Sequence, residues 1–389
     1  MRGNSAFLIA GQQACFGLAA ALVIGVFQIC AQAAPAGKEA PVGDAPAAAL
    51  PLASDLSGNL TRSDIGRAMR KVAGWQLHRA KAHFSQDWTF AALYAGFMAV
   101  PDAAGGKHDR KAMTRMGRKF KWQPGPRVEH ADDQAVAQTY LETYQRNPDP
   151  AILAPIRERM DAELKLPDDT DHPLWWWCDA LFMAPPVLAK LSNLTGDRKY
   201  LDFMDRQWWI TSGLLYNQRE HLYARDASFI TRHEANGSGL FWSRGNGWVM
   251  AGLVRVLQQM PQDYPSRQRY LAQFSEMAEE IASLQGADGL WRPGLLDASA
   301  YPLPENSGSA FYVYALAYGI NAGILDRDSY LPVVEKAWAG LVAHIYQDGR
   351  IGCIQPVGAA PGSYSATASY VFGTGAFLLA GSEVYALAK

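Results

Sequence analysis

RGNGWVMAGLVRVL (244–257) is apolar on every side of a helix, and three other stretches share its character: CDALFMAPPVLAKL (178–191), SGSAFYVYALAYGI (307–320) and ASYVFGTGAFLLAG (368–381). A helix apolar all round is buried, whereas an amphipathic one keeps a face in water. The residues that lead these stretches, Asp179, Arg244, Ser307 and Ser369, follow one another at intervals of 62 to 65 residues. Charged, amphipathic helices alternate with them, as in SRQRYLAQFSEMAEEIASL (266–284) and RDSYLPVVEKAWAGLVAHI (327–345). Each of these runs into an Asp-Gly turn, GADGLWRPG (286–294) or QDGRIGCIQP (347–356), and then a short extended piece.

An outer helix, a turn and a buried helix repeated at one period predict a closed ring of helical hairpins. Apolar spacing at three and four residues places twelve helices near 62–81, 87–101, 107–120, 132–147, 149–164, 175–194, 197–211, 244–260, 266–284, 307–323, 328–347 and 368–387. The fold class is therefore all-α, an (α/α)6 barrel of six helical hairpins. An open solenoid is the rival, but its repeats are usually shorter and its inner helices less apolar.

Before the barrel, Arg2 precedes the apolar run 18–29 and the small-residue site Ala31-Gln32-Ala33. Residues 1–33 read as a signal peptide, so the expected location is exported, periplasmic or secreted. An uncleaved anchor is the competing reading, though the run is short for a span; the mature chain is expected to make no stable membrane insertion. Residues 34–58, rich in Ala and Pro, read as a tether, and 59–389 as one catalytic domain. Cys15 and Cys30 leave with the signal segment. Only Cys178 and Cys353 remain, too few for a disulfide framework or a zinc cluster, and whether they pair cannot be read from sequence.

A formal charge of −1 excludes a global field for nucleic acid, and 12 Trp with 17 Tyr suit either a carbohydrate surface or a large aromatic core. The histidines His172, His221 and His233 show no metal spacing, and no phosphate loop, dinucleotide fingerprint or nucleophile elbow occurs. No metal and no cofactor are expected. Oligomeric state is not legible.

In such a ring the inner helices start at one face, so Asp179, Arg244, Ser307 and the Asp132-Asp133 pair should converge on one cleft. Asp179 follows three tryptophans; it could be a helix cap, a metal ligand or a catalytic acid, and the apolar setting favours the acid. Asp132 and Asp133 compete for a second carboxylate across the cleft, and one of them could merely cap. Arg244 could fork onto backbone carbonyls or hold a substrate carboxylate bidentately. Trp248, one turn on, would share its face and stack on a sugar ring. Trp242 and His172 are further candidates for substrate contact.

With WWWCDALFMAPP (175–186), FWSRGNGWVMAGL (241–253) and HADDQAVAQTYL (130–141) together, the chain resembles the unsaturated rhamnogalacturonyl hydrolases of glycoside hydrolase family 105, relatives of the family 88 unsaturated glucuronyl hydrolases. The resemblance runs from about residue 62 onward. It implies release of a 4,5-unsaturated uronic acid from lyase-generated oligosaccharides, by hydration of the C4=C5 bond. It also implies Asp179 as general acid/base, Asp133 or Asp132 as second aspartate, Arg244 and Trp248 as the carboxylate-binding pair, and Trp177 as the aromatic beside the acid. Where the family has a Tyr-His-x-x-Asp stretch this chain reads LYARDAS (222–228), so Arg225 puts the contacts to the departing sugar in doubt. An inverting glycosidase or a non-catalytic sugar-binding protein on the same barrel are the alternatives.

Overall fold

In the computed structural model, residues 42–388 are described and belong to one compact unit. The signal-peptide reading of 1–33 and the first part of the tether lie outside the described residues. Helices alternate between an outer and an inner layer in chain order. They run α1 (Arg62–Ala80) outside, α2 (Trp88–Ala99) inside, α3 (Gly106–Lys119) outside, then α4 (Ala131–Gln134) and α5 (Ala137–Arg146) inside. Next come α6 (Pro150–Glu163) outside, α7 (Ala180–Met183) and α8 (Pro185–Thr195) inside, α9 (Lys199–Leu215) outside and α10 (Ser243–Leu257) inside. The chain ends with α11 (Arg267–Ser283) outside, α12 (Asn306–Asn321) inside, α13 (Arg327–Ala343) outside and α14 (Val371–Leu387) inside.

The inner layer closes on itself. α2 packs on α5, α5 on α8, α7 and α8 on α10, α10 on α12, α12 on α14, and α14 returns to α2. This is the (α/α)6 barrel, with two of its six inner staves broken. The stave at 180–195 breaks before Pro185 and Pro186: two successive residues lack the N–H that would continue the helix, although Ala184 ahead of them keeps αR backbone. The helix begins only at Ala180, because Trp175–Trp177, expected as its first turn, run into an extended pairing of Trp177 with Asp226.

Burial follows the sequence pattern. All fifteen residues of α10 are buried, whereas α13 buries only Val334, Ala337, Trp338, Leu341 and Val342. Small residues let the inner staves touch backbone to backbone: a Cβ on Gly96 of α2 would stand 2.6 Å from the carbonyl oxygen of Gly375 on α14. The two Asp-Gly turns need glycine for a different reason. Gly289 and Gly349 adopt φ of +85° and +100°, and a Cβ on either would meet a carbonyl oxygen at 2.5 Å, that of Lys336 or Lys71.

The described part of the expected tether is a strap laid on the barrel. Strand β1 (Gly43–Asp44) pairs antiparallel with the two residues ahead of α14, Gly43 opposite Tyr370 and Asp44 opposite Ser369. Asp44 is salt-bridged to Arg79 and Arg350, and farther on Ala53 N–H donates to Ile345 O at 2.8 Å. Backbone pairing and two guanidinium partners hold what composition alone made to look free. Cys178 and Cys353 are both buried and unpaired. Among the described residues no helix is long and apolar enough to cross a membrane.

Candidate active site

Six inner staves starting at one end put six leading residues around one mouth: Asp87, His130, Asp179, Trp242, Glu305 and Tyr370. Free N–H groups and the positive ends of the helix dipoles point the same way. Two of these starts bring carboxyl groups toward each other across the mouth, Asp179 ahead of α7 and Asp132 in α4.

Asp179 is 8% exposed. Its Oδ2 accepts a weak hydrogen bond from the Cys178 thiol at 3.3 Å and stands 3.9 Å from Arg225 Nε. Burial raises its pKa above the ordinary aspartate value, against the opposing pull of Arg225, the Cys178 contact and Arg244. Asp132 is pushed up to about 7, by burial first and then by the negative charges of Asp179 and Asp87. Both carboxyls are thus biased toward the protonated form, Asp179 by burial and Asp132 by burial and the Asp179 charge.

Asp133 is spent differently. Its Oδ2 accepts from the Arg127 backbone N–H at 2.7 Å and its Oδ1 from Arg127 Nη2 at 2.6 Å, and that guanidinium holds its carboxyl below the ordinary value. Of the two adjacent candidates, Asp132 faces Asp179, and Asp133 fastens the 125–133 loop.

Arg244 takes the carbonyl-fork geometry, not that of a free carboxylate clamp. It is fully buried, its Nη1 and Nη2 donate to Gln355 O at 2.6 Å and Pro356 O at 2.7 Å, and its guanidinium lies over the rings of Trp242 and Phe372. Trp248 also departs from expectation. It is fully buried among Trp88, Phe182 and Phe311, so no face is open for a sugar, because one turn along an inner stave leads down into the core. Trp242 is buried too, donating its indole N–H to Gln355 Oε1 at 3.0 Å. His172 is 88% exposed beside Asp169, on the loop between α6 and α7, and makes no contact with either mouth carboxyl. Trp177 does line the site: its ring packs against His130 and Trp176, the latter 46% exposed.

Two groups at the mouth were not singled out from sequence. His130 Nδ1 stands 3.8 Å from Asp132 Oδ2, and burial followed by the Arg127 charge lowers its pKa, which keeps the ring neutral beside the pair. Glu305, wholly buried, caps α12 by accepting the Gly308 N–H at 2.6 Å and lies 3.9 Å from Arg244 Nη1. The signal for both was present, a polar residue immediately ahead of an inner helix. Among the described residues no group of three His, Cys, Asp or Glu is placed to hold a metal ion.

The model of glycosyl hydrolase family 88 matches residues 65–388, the barrel and both carboxylates. The chain belongs to glycosyl hydrolase family 88. Two curated relatives share most of their length with this family 88 chain. One from Formosa agariphila, named an unsaturated 3S-rhamnoglycuronyl hydrolase, is 41% identical over 347 residues, covering 84% of this chain and 92% of its own. One of the same name from Alteromonas sp. is 32% identical over 354 residues, covering 83% and 86%. Among solved structures, a family 88 glycosyl hydrolase from Bacteroides vulgatus superposes with a TM-score of 0.78 at 32% identity, covering 84% of this chain and 99% of its own. A protein named a polysaccharide lyase superposes with a TM-score of 0.80, also at 32% identity, over 84% and 98%.

Proposed function

We propose that this glycosyl hydrolase releases a 4,5-unsaturated uronic acid from an unsaturated 3S-rhamnoglycuronyl substrate, with Asp179 as the acid and Asp132 as its partner. The observation that carries the assignment is the facing pair of buried, proton-holding carboxyls at the barrel mouth. The names of the two curated relatives support the substrate class. The segment 1–33 supports export to the periplasm or the medium.

A C4=C5 bond beside the ring oxygen is an enol ether. Asp179 gives its proton to C4, and positive charge develops at C5, shared with the ring oxygen. Water adds at C5 and returns a proton to the Asp179 carboxylate. The hemiketal at C5 then opens, leaving a hemiacetal at C1 that collapses to an aldehyde and expels the aglycone as its alcohol. The acid must hold its proton until donation, and burial, which raises its pKa, favours that. Asp132 is positioned to orient the sugar or the incoming water, and neutral His130 beside it adds no competing charge.

The test is ultraviolet absorbance of the conjugated double bond in lyase-generated unsaturated disaccharides. Addition of the protein should extinguish it, and Asp179→Asn should abolish the loss. A rise in absorbance from intact polysaccharide would show elimination instead. Hydrolysis of saturated oligosaccharides would show an ordinary inverting glycosidase. Affinity without any change would leave a binding protein.

A further inference from the structure

Arg225 belongs to the loop that carries the acid's own support: its carbonyl accepts the Cys178 N–H at 2.8 Å, and the neighbouring Asp226 pairs with Trp177. The side chain is thereby delivered to the rim of the pocket. Nη1 donates to Asp226 Oδ2 at 2.7 Å. Nε is buried with no hydrogen-bond partner, and at 3.9 Å from Asp179 Oδ2 it is too far to bond there. An orphaned charged donor in a buried position is costly. This one points to a ligand that is brought by the substrate.

The second observation is the ring next to it. Trp176 is 46% exposed, and the Arg225 guanidinium lies 5.3 Å from its centroid. An open indole face beside a cation suits a sugar that carries an anion: the ring stacks and the substituent meets the guanidinium. Charge balance favours the same occupant. Arg225 faces two carboxylates, Asp179 and Asp226. In the working state Asp179 holds the proton it will donate, so Arg225 and Asp226 balance each other and the charge that would repel an arriving anion is gone.

We infer that Arg225, backed by Trp176, clamps a sulfate ester on the departing sugar and sets the preference of this chain for sulfated over unsulfated aglycones. This rests on the reading of the pocket as an unsaturated uronyl hydrolase site. A sulfate ester stays charged at every working pH, and a guanidinium meets its oxygens bidentately. The uronate carboxylate of the cleaved sugar is the other anion in the substrate. It is common to sulfated and unsulfated substrates alike, so a pair of substrates separates the two.

The experiment measures kcat and KM of wild type, Arg225→Ala and Arg225→Lys on two unsaturated disaccharides that differ only in the sulfate. Wild type should favour the sulfated one in kcat/KM by about 10-fold to 100-fold. Arg225→Ala should erase that preference, chiefly by raising KM for the sulfated disaccharide, and lose far less on the other. Arg225→Lys, which keeps the charge without the fork, should retain part of it and serves if the alanine variant does not fold. Inorganic sulfate should compete with substrate in wild type and not in Arg225→Ala. Equal losses on both disaccharides, or an intact preference in Arg225→Ala, overturns the inference. If wild type extinguishes neither disaccharide, the hydrolase reading itself has failed.

Discussion

Arg127 grips Asp133 with three donors, its backbone N–H at 2.7 Å and Nε at 3.1 Å on Oδ2, and Nη2 at 2.6 Å on Oδ1. A carboxylate so held has most of its acceptor sites filled, while its neighbour Asp132 carries a raised pKa at the mouth. Asp132→Asn is expected to lower kcat by about 100-fold or more, the usual cost of losing an acid–base group. Asp133→Ala should keep most turnover and lose about 1–3 kcal/mol of stability. Steady-state kinetics with thermal melting of both variants separates the roles, and the opposite pattern would exchange them.

The carboxyl pair also fixes a pH limb. Asp132 is held up to about 7 and Asp179 is shifted in the same direction. The protonated form of Asp179 needed for donation therefore persists to higher pH than in an ordinary aspartate, and Asp132 loses its own proton near pH 7. kcat/KM should fall about tenfold per pH unit on the alkaline side. A profile from pH 5 to 9 that still climbs at pH 8 would contradict the assignment.

Glu163 gives a stability counterpart. It is fully buried on α6, neither carboxyl oxygen has a hydrogen-bond partner, and burial pushes its pKa up to about 8. A folded pKa above the unfolded one means the native state holds the extra proton. The stability it contributes is complete below the ordinary glutamate value and is lost as pH rises toward 8. Glu163→Gln should flatten the decline of melting temperature between pH 5 and 8. Parallel curves for wild type and variant would refute this.

Removing Arg244 should act on the fold before it acts on binding. Arg244→Ala leaves Glu305 and the carbonyls of Gln355 and Pro356 without their cation, and breaking a buried charged network costs about 3–5 kcal/mol. A marked drop in melting temperature is expected. A raised KM with unchanged melting would instead restore the role of substrate clamp.

Gly96→Ala reverses a familiar sign. Replacing a helix-interior glycine by alanine normally gains about 0.5–1 kcal/mol. Here the new Cβ would meet the Gly375 carbonyl oxygen at 2.6 Å, forcing α2 and α14 apart, at a cost of about 1–3 kcal/mol. Chemical denaturation measures which term wins.

The barrel was legible because wholly apolar and amphipathic helices alternate at one period, and that alternation is what a two-layer ring demands. The buried place of Asp179 at a stave start was legible from the tryptophans ahead of it. Periodicity says which helix is buried, not how deep along it a side chain lies, so Trp248 was read too near the surface, and the choice between fork and clamp for Arg244 stayed open. His172 stands on an exposed loop, where a histidine carries no periodic signal to place it. The Asp132-Asp133 choice turned on Arg127, whose pairing with Asp133 depends on the path of a loop. The strap escaped notice because Ala- and Pro-rich composition is silent about backbone pairing.

That strap joins residues 327 positions apart, Gly43 and Tyr370. Bringing ends so distant together costs roughly 5 kcal/mol of chain entropy. The stave that completes the seam follows the other five off the ribosome, so a growing chain passes through an unclosed horseshoe. Until α14 arrives, α2 and α12 show water the apolar sides that α14 will cover, and chaperone demand should peak in that interval.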